Sequence, residues 1–390
     1  MANGVAGRSR SGRAEERVSL AVLGETIDWR SNTFEPVMAH SRRSPVPVTL
    51  AQIARAARVA KSTASLALRN LGNVDARTRQ RVLRAAEKLG YRPNPLVNAL
   101  MMQVRTRASP RNRPTIGFIN TWGPPAQEPP GIWNVISSYQ AGAQERAQEL
   151  GFDFGTISFQ PESMTDQRLS QILLARGIEG LVIAPLHSPF FRWNMNWAPF
   201  AVAAIGYFEA NAGLSRVFYD YCYCVHEVLL RLERLGHRRV GMHIGRADEE
   251  RSRGLWTAGF LHYFDRCPTA MRAVPFPGID EYDRDKFLAW FRAHRPDAIL
   301  GWGDETLRWL AEIGVEVPGE VGFVSLAHRM TQLPCTGYDH RLEVVGRVAV
   351  DVVVGQLYRG ERGLPVLPQT TLVEGRWQDG PTTSERRRPR

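Results

Sequence analysis

The chain has 390 residues, 43% of them hydrophobic, which is material for more than one core and predicts two or three domains. No apolar run approaches the roughly 20 residues needed to span a bilayer, and the first residues lack the compact apolar segment of a secretory signal, so a cytoplasmic protein is expected. The formal net charge of +11 is concentrated in one place: residues 45 to 114 hold fourteen Lys and Arg against two acids, Asp75 and Glu87, which makes that segment +12 and leaves the remainder at −1. Solvated faces normally mix signs, so a one-sided block of this kind predicts a polyanion partner.

Residues 1 to 44 are rich in Arg, Ser, Gly and Glu and poor in apolar periodicity, which predicts a disordered extension. Met38 opens "MAHSRRSPVPVTLAQIA" and is the expected start of the natural protein. From residue 45 to 93 the pattern changes. Leu50, Ile53, Ala54 and Ala57 fall at i, i+3, i+4 and i+7, and Ala64, Ala67, Leu68 and Leu71 repeat that template after a short break. Thr49 and Gln52 form a T-x-x-Q capping box before the first of these helices. Asp75 stands where it can cap a third helix that stops at Gly90. Three short helices sharing a thin, alanine-rich core, with Lys61, Ser62, Ser65 and Leu66 facing outward on the second, describe a helix-turn-helix whose second helix enters the DNA major groove.

The stretches "TLAQIARAARVAKSTASLALRN" and "VDARTRQRVLRAAEKLGYRPNPLVNAL" resemble the DNA-binding domain and hinge of the LacI family of bacterial transcription regulators, including the "GYRPN" signature between the two. The resemblance implies that Lys61, Ser62 and Leu66 read bases and that Thr49, Thr63, Ser65, Thr78, Arg79 and Asn94 contact phosphates. It also implies that residues 94 to 114 form a hinge helix and linker, with Leu100 wedged between base steps in the minor groove. Three departures from the family pattern carry physical weight. Ala60 replaces the usual Ser cap of the recognition helix, a loss of about 1 kcal/mol, and Arg58 replaces the usual turn glycine. Leu66 sits where many relatives have Arg, so apolar contact with a thymine methyl replaces a hydrogen-bonded guanine contact.

From residue 115 to 380 short apolar runs such as "TIGFIN", "GLVIAPL", "FAVAAIGY", "RVGMHIG", "AILGWG" and "VGFVSL" alternate with helical segments, the signature of doubly wound α/β sheets. The fold class expected is an all-α helix-turn-helix domain followed by an α/β domain, and the family resemblance implies that the latter is two-lobed and periplasmic-binding-protein-like. One lobe is expected at 115 to 206 plus 340 to 362 and the other at 207 to 339 plus the last strand, with a disordered basic tail at 381 to 390.

The resemblance puts an effector in the cleft between the lobes and implies that Asp304, at the strand end in "GWGDE", accepts effector hydroxyls. Asp220 in "VFYDYC" and Trp122 after the first strand are further cleft candidates. The family's effector-binding Arg aligns with Trp256, with Arg253 one turn earlier, and an aromatic there together with Asp304 favours a neutral carbohydrate.

Cys222, Cys224, Cys267 and Cys335 form neither a CxxC framework nor a zinc spacing, so no disulfide, no metal and no cofactor is expected. There is no GxSxG, Walker loop, GxGxxG or metal-spaced His pair, and "HEVLL" lacks the second His of a zincin. The expected protein is thus a repressor responsive to a small molecule, with a DNA-tethered sugar-modifying enzyme as the alternative. One small head reads few bases, so a homodimer on a pseudo-palindromic operator is expected.

Overall fold

The structure, a computed structural model, describes residues 48–68, 74–91, 113–123, 130–187, 191–207, 213–276 and 283–386. The hinge calls at Asn94 and Leu100, the extension before residue 48 and residues 387–390 lie outside the described residues.

The head begins with α1 (Leu50–Ala56), α2 (Lys61–Leu68) and α3 (Ala76–Lys88). The capping box on α1 is formed: the Thr49 hydroxyl accepts from the Gln52 amide, and Gln52 Oε1 accepts from the Thr49 amide at 2.7 Å. Asp75 caps α3 by accepting from Thr78 N at 2.9 Å, and these backbone and hydroxyl hydrogen bonds hold its carboxyl below the usual carboxylate range. The shared core is thin, with Ile53, Ala54, Ala57, Ala64, Ala67, Val82 and Ala86 buried. Small side chains allow the helices to approach closely.

The rest of the described chain builds two six-stranded sheets. The first contains β1 (Thr115–Asn120), β2 (Asp153–Ser158), β3 (Ile178–Ile183), β4 (Ala201–Ile205), β5 (Ser215–Tyr219) and β11 (Thr370–Val373). Its spatial order is β11-β5-β4-β3-β1-β2, and every pairing is parallel. On one face lie α4 (Pro130–Glu149) and α11 (Leu342–Arg359); on the other lies α5 (Asp166–Ala175) with an aromatic cluster of Phe159, Phe191, Trp193 and Trp197. The pair α4 and α11 crosses closely because glycines face backbone. A Cβ on Gly346 would overlap the Tyr139 carbonyl, and one on Gly142 would overlap the Glu343 carbonyl.

The second sheet has the order β12-β10-β9-β8-β6-β7. Its strands are β6 (Arg239–His243), β7 (Arg272–Ala273), β8 (Ala298–Gly301), β9 (Gly322–Ser325), β10 (Thr336–Asp339) and β12 (Arg376–Gln378), with only the β10–β12 pair antiparallel among them. Helices α6 (Tyr221–Arg234) and α8 (Leu255–Arg266) cover one face, and α9 (Arg284–His294) and α10 (Glu305–Glu312) the other. A short helix, α7 (Arg246–Ser252), precedes α8, and the two are separated by Arg253 (φ 55°) and Gly254 (φ 76°), both left-handed. These two residues break what would otherwise run on as one helix.

Two boundaries differ from the sequence expectation. The second lobe does not begin at 207: β5 pairs in parallel with β4 and β11, so the chain crosses between sheets at 219–221, again at 339–342, and last at 373–376. The physical reason is edge completion, since β5 supplies the ladder that β4 would otherwise leave open. Nor do residues 381–386 behave as a disordered tail. The Thr382 hydroxyl accepts from Thr336 N at 2.8 Å and donates to the Phe323 carbonyl at 2.7 Å. Arg386 donates to the carbonyls of Gly319 and Asp297, fastening this segment along the second lobe. Among the described residues no helix is long and apolar enough to cross a membrane.

Candidate nucleic-acid interface and ligand cavity

On α2 the burial pattern separates two faces. Ala64 and Ala67 fill the core, while Lys61 and Ser62 are exposed and Leu66 retains 38% of its surface. Thr49 is exposed, and Thr63, Ser65, Thr78 and Arg79 are half-buried around the same head. Arg79 Nε is buried and makes no hydrogen bond. The turn before α2 holds Arg58 at φ 51°, the left-handed conformation that a glycine would adopt without strain. Sequence reasoning missed Arg81, whose Nε donates to the Ala57 carbonyl at 2.9 Å and joins α3 to the end of α1. An arginine one turn into a capped helix is the local signal for such a contact, but its partner lies 24 residues away.

Between the two lobes is a cavity of about 110 Å³. Its wall is chiefly aromatic. Trp122 and Tyr139 come from the first lobe, Tyr219 and Tyr221 from the crossing at the end of β5, and Trp256 and Trp302 from the second lobe. Trp256 is fully buried and meets Tyr221 edge-on at 4.8 Å and Trp302 edge-on at 5.5 Å. The Trp122 indole donates to the Pro185 carbonyl at 2.6 Å, which fixes the plane of the ring. Arg251, at the end of α7, reaches across the cleft: its two terminal nitrogens donate to the carbonyls of Leu186 (2.9 Å) and His187 (2.8 Å), and its guanidinium lies 5.4 Å from the Trp122 ring centre. Burial pushes the pKa of this guanidinium below its usual value.

Of the effector candidates, Trp122 and Trp256 line this cavity and Asp220, Arg253 and Asp304 do not. Asp304 turns inward instead, accepting from Gln332 N at 3.0 Å and Leu333 N at 3.2 Å, so its oxygens are occupied by backbone. Asp220 caps α6 by accepting from Tyr223 N at 3.0 Å. Arg253 ends α7 and lies over Tyr207, with its guanidinium 5.5 Å from the ring centre. Sequence reasoning missed Arg251, Trp302, Tyr219 and His340. Aromatic residues at strand ends, as in "VFYDYC" and "GWGDE", are the signal that could have found two of them.

Comparison with known proteins separates the chain into the same two parts. Residues 49–94 match the model of bacterial regulatory proteins of the lacI family, and residues 230–376 match the periplasmic binding protein-like domain. Over its head the chain is thus similar to the lacI family of bacterial regulatory proteins. It is 25% identical over 381 residues to the HTH-type transcriptional regulator Rv3575c of Mycobacterium tuberculosis, covering 85% of this chain and 98% of that protein. It is 26% identical over 290 residues to the catabolite control protein A of Staphylococcus xylosus, covering 71% of this chain and 82% of that protein. Among solved structures, a regulatory protein of LacI family from Chloroflexus aggregans superimposes with a TM-score of 0.51 at 14% identity, covering 70% of this chain and 99% of that one, which is a likeness of fold. The model matched over the head is one of bacterial regulatory proteins, and the relative matched over most of the chain is a transcriptional regulator.

Proposed function

We propose that the chain is a repressor that binds a pseudo-palindromic operator as a cytoplasmic homodimer and responds to a small molecule, of carbohydrate class, held between its two lobes. The observation that carries the DNA-binding half is the outer face of α2, where Lys61, Ser62 and Leu66 stay exposed while alanines fill the core. Lys61 and Ser62 meet base edges and Leu66 a thymine methyl. Thr49, Thr63, Ser65, Thr78 and Arg79 serve the phosphates and set the register of the head on the duplex. Asn94 and Leu100 belong to the hinge part of the same proposal. The effector half is supported by the aromatic residues around the cavity, to whose lining Trp122 and Trp256 both belong.

The test is binding to a selected operator and to random duplex at several salt concentrations. Arg79→Ala should weaken both alike and reduce the log-log salt slope by about 0.9, the value for one neutralised phosphate. Lys61→Ala or Ser62→Ala should instead change which bases are preferred. A uniform loss from Lys61→Ala and Ser62→Ala would mean that α2 is not the reading helix. Leu100→Ala should reduce operator affinity and DNA bending together and leave random-duplex binding nearly unchanged.

A further inference from the structure

The cavity between the lobes is bridged by one side chain, and both ends of that bridge are fixed. Arg251 stands in the last turn of α7. Glu249 Oε1 accepts from Thr257 N at 3.1 Å, which fastens α7 to α8 across the left-handed pair Arg253 and Gly254. On the first lobe, His187 N donates to Thr121 Oγ1 at 2.9 Å, and the His187 ring meets Trp122 edge-on at 4.9 Å. With the bond from the Trp122 indole to the Pro185 carbonyl, these contacts join the turn after β1 to the turn after β3. The Leu186 and His187 carbonyls that receive Arg251 are thus held in place, and the side chain of Arg251 is the movable part of the contact.

Size decides what this bridge does. The cavity holds about 110 Å³, whereas an apolar cavity of about 150 Å³ takes benzene. A pyranose has a ring of the same size as benzene and carries hydroxyls outside it, so it does not fit between the lobes as they stand. Entry requires the lobes to separate. Separation breaks both Arg251 bonds, because the guanidinium belongs to the second lobe and both carbonyls to the first. The other guanidinium on the wall, Arg329, pairs with Asp339 and Glu343 beside the crossing at 339–342, where the chain itself already ties the lobes together.

Resting on the reading of this cavity as the effector site, we propose that Arg251 is a latch: it holds the lobes closed on a space too small for a carbohydrate, and a sugar is admitted only as Arg251 leaves the Leu186 and His187 carbonyls. A hydrogen bond from a charged donor biases an equilibrium by about tenfold, enough to favour the closed form and little enough to be reversed by a ligand. The effector works against the latch. Its apparent affinity is its intrinsic affinity reduced by the fraction of molecules that are open.

Hydrogen exchange of the full chain with no sugar added tests the latch directly. In Arg251→Ala, segments 185–187 and 327–330, which lie on the walls contributed by the two lobes, should exchange about tenfold faster than in wild type, while the interiors of β1 and β8 stay unchanged. Arg251→Lys keeps the charge and most of the stem but has no fork to span two carbonyls, so it should lie between the two and serves if the alanine variant folds poorly. Unchanged exchange at both segments overturns the proposal. Faster exchange at 185–187 alone also overturns it, since that is loss of a local contact without opening of the cleft. Calorimetry with D-glucose, D-galactose, D-xylose, maltose and sucrose supplies the second arm. Any of these that binds wild type should bind Arg251→Ala about tenfold or more tightly, and weaker binding by the variant would mean that Arg251 holds the sugar and does not bar it. Binding of none of them counts against the carbohydrate reading alone, because the exchange comparison decides the latch without a sugar.

Discussion

Arg81 Nε donates a 2.9 Å hydrogen bond to the carbonyl oxygen of Ala57, so the third helix of the head holds the residue that ends the first. The last carbonyls of a helix have no intrahelical donor, and this one is partly buried. Arg81→Ala should leave it unpaired and cost about 1–2 kcal/mol of head stability, seen as earlier loss of helical signal in urea with the α/β transition unmoved. Operator affinity should fall without a change in base preference.

The residue after Ala57 is Arg58, held at φ 51°. Left-handed backbone strains any residue with a Cβ, and glycine relieves that strain. Arg58→Gly should stabilise the head by about 1 kcal/mol, measured in the same urea titration.

Close approach of α4 and α11 depends on Gly142 and Gly346, each facing a backbone carbonyl of the other helix. Gly346→Ala should force these helices apart and cost at least about 2 kcal/mol in thermal or urea unfolding. Gly355 on the same helix supplies a control. An added Cβ there meets only the far end of the Arg359 side chain, which can shift, so Gly355→Ala should be neutral or gain up to about 1 kcal/mol from helix propensity.

Two buried histidines give stability a defined pH dependence. Burial pushes both His243 and His340 from 6.5 down to about 4. Between these values the unfolded chain binds protons that the folded one does not. Their contribution is therefore complete above pH 6.5 and is lost as pH falls toward 4, by up to about 3 kcal/mol for each histidine. Melting temperature should fall steadily from pH 7 to pH 4.5, and His243→Gln should make that decline shallower.

What was legible in the sequence was local. The Thr49 capping box, the Asp75 cap and the apolar strand runs need only neighbours a few residues away, and each forms as its pattern requires. The place where the chain changes sheets was not legible, because β5 is assigned by its long-range ladders with β4 and β11 rather than by its own residues. The cavity wall was legible in part. Trp122 and Trp256 reach it, but past the end of β8 Trp302 lies at the cavity while Asp304, two residues on, turns to the backbone of residues 332–333. Residues 302–304 form the bend between β8 and α10, where strand alternation no longer sets direction, and nothing within "GWGDE" says which of them meets the other lobe.

Vectorial synthesis meets an obstacle in the last crossing of the chain. The edge strand of the first sheet is made by residues 370–373 and that of the second by residues 376–378, while the Thr382 clasp on Thr336 and Phe323 follows later still. Neither lobe can close its sheet while these residues remain inside the ribosome. The α/β part must wait, with β5 and β10 as open edges, until residue 382 has emerged, whereas the head, with α1, α2 and α3 all before residue 90, can fold and acquire its basic surface hundreds of residues earlier.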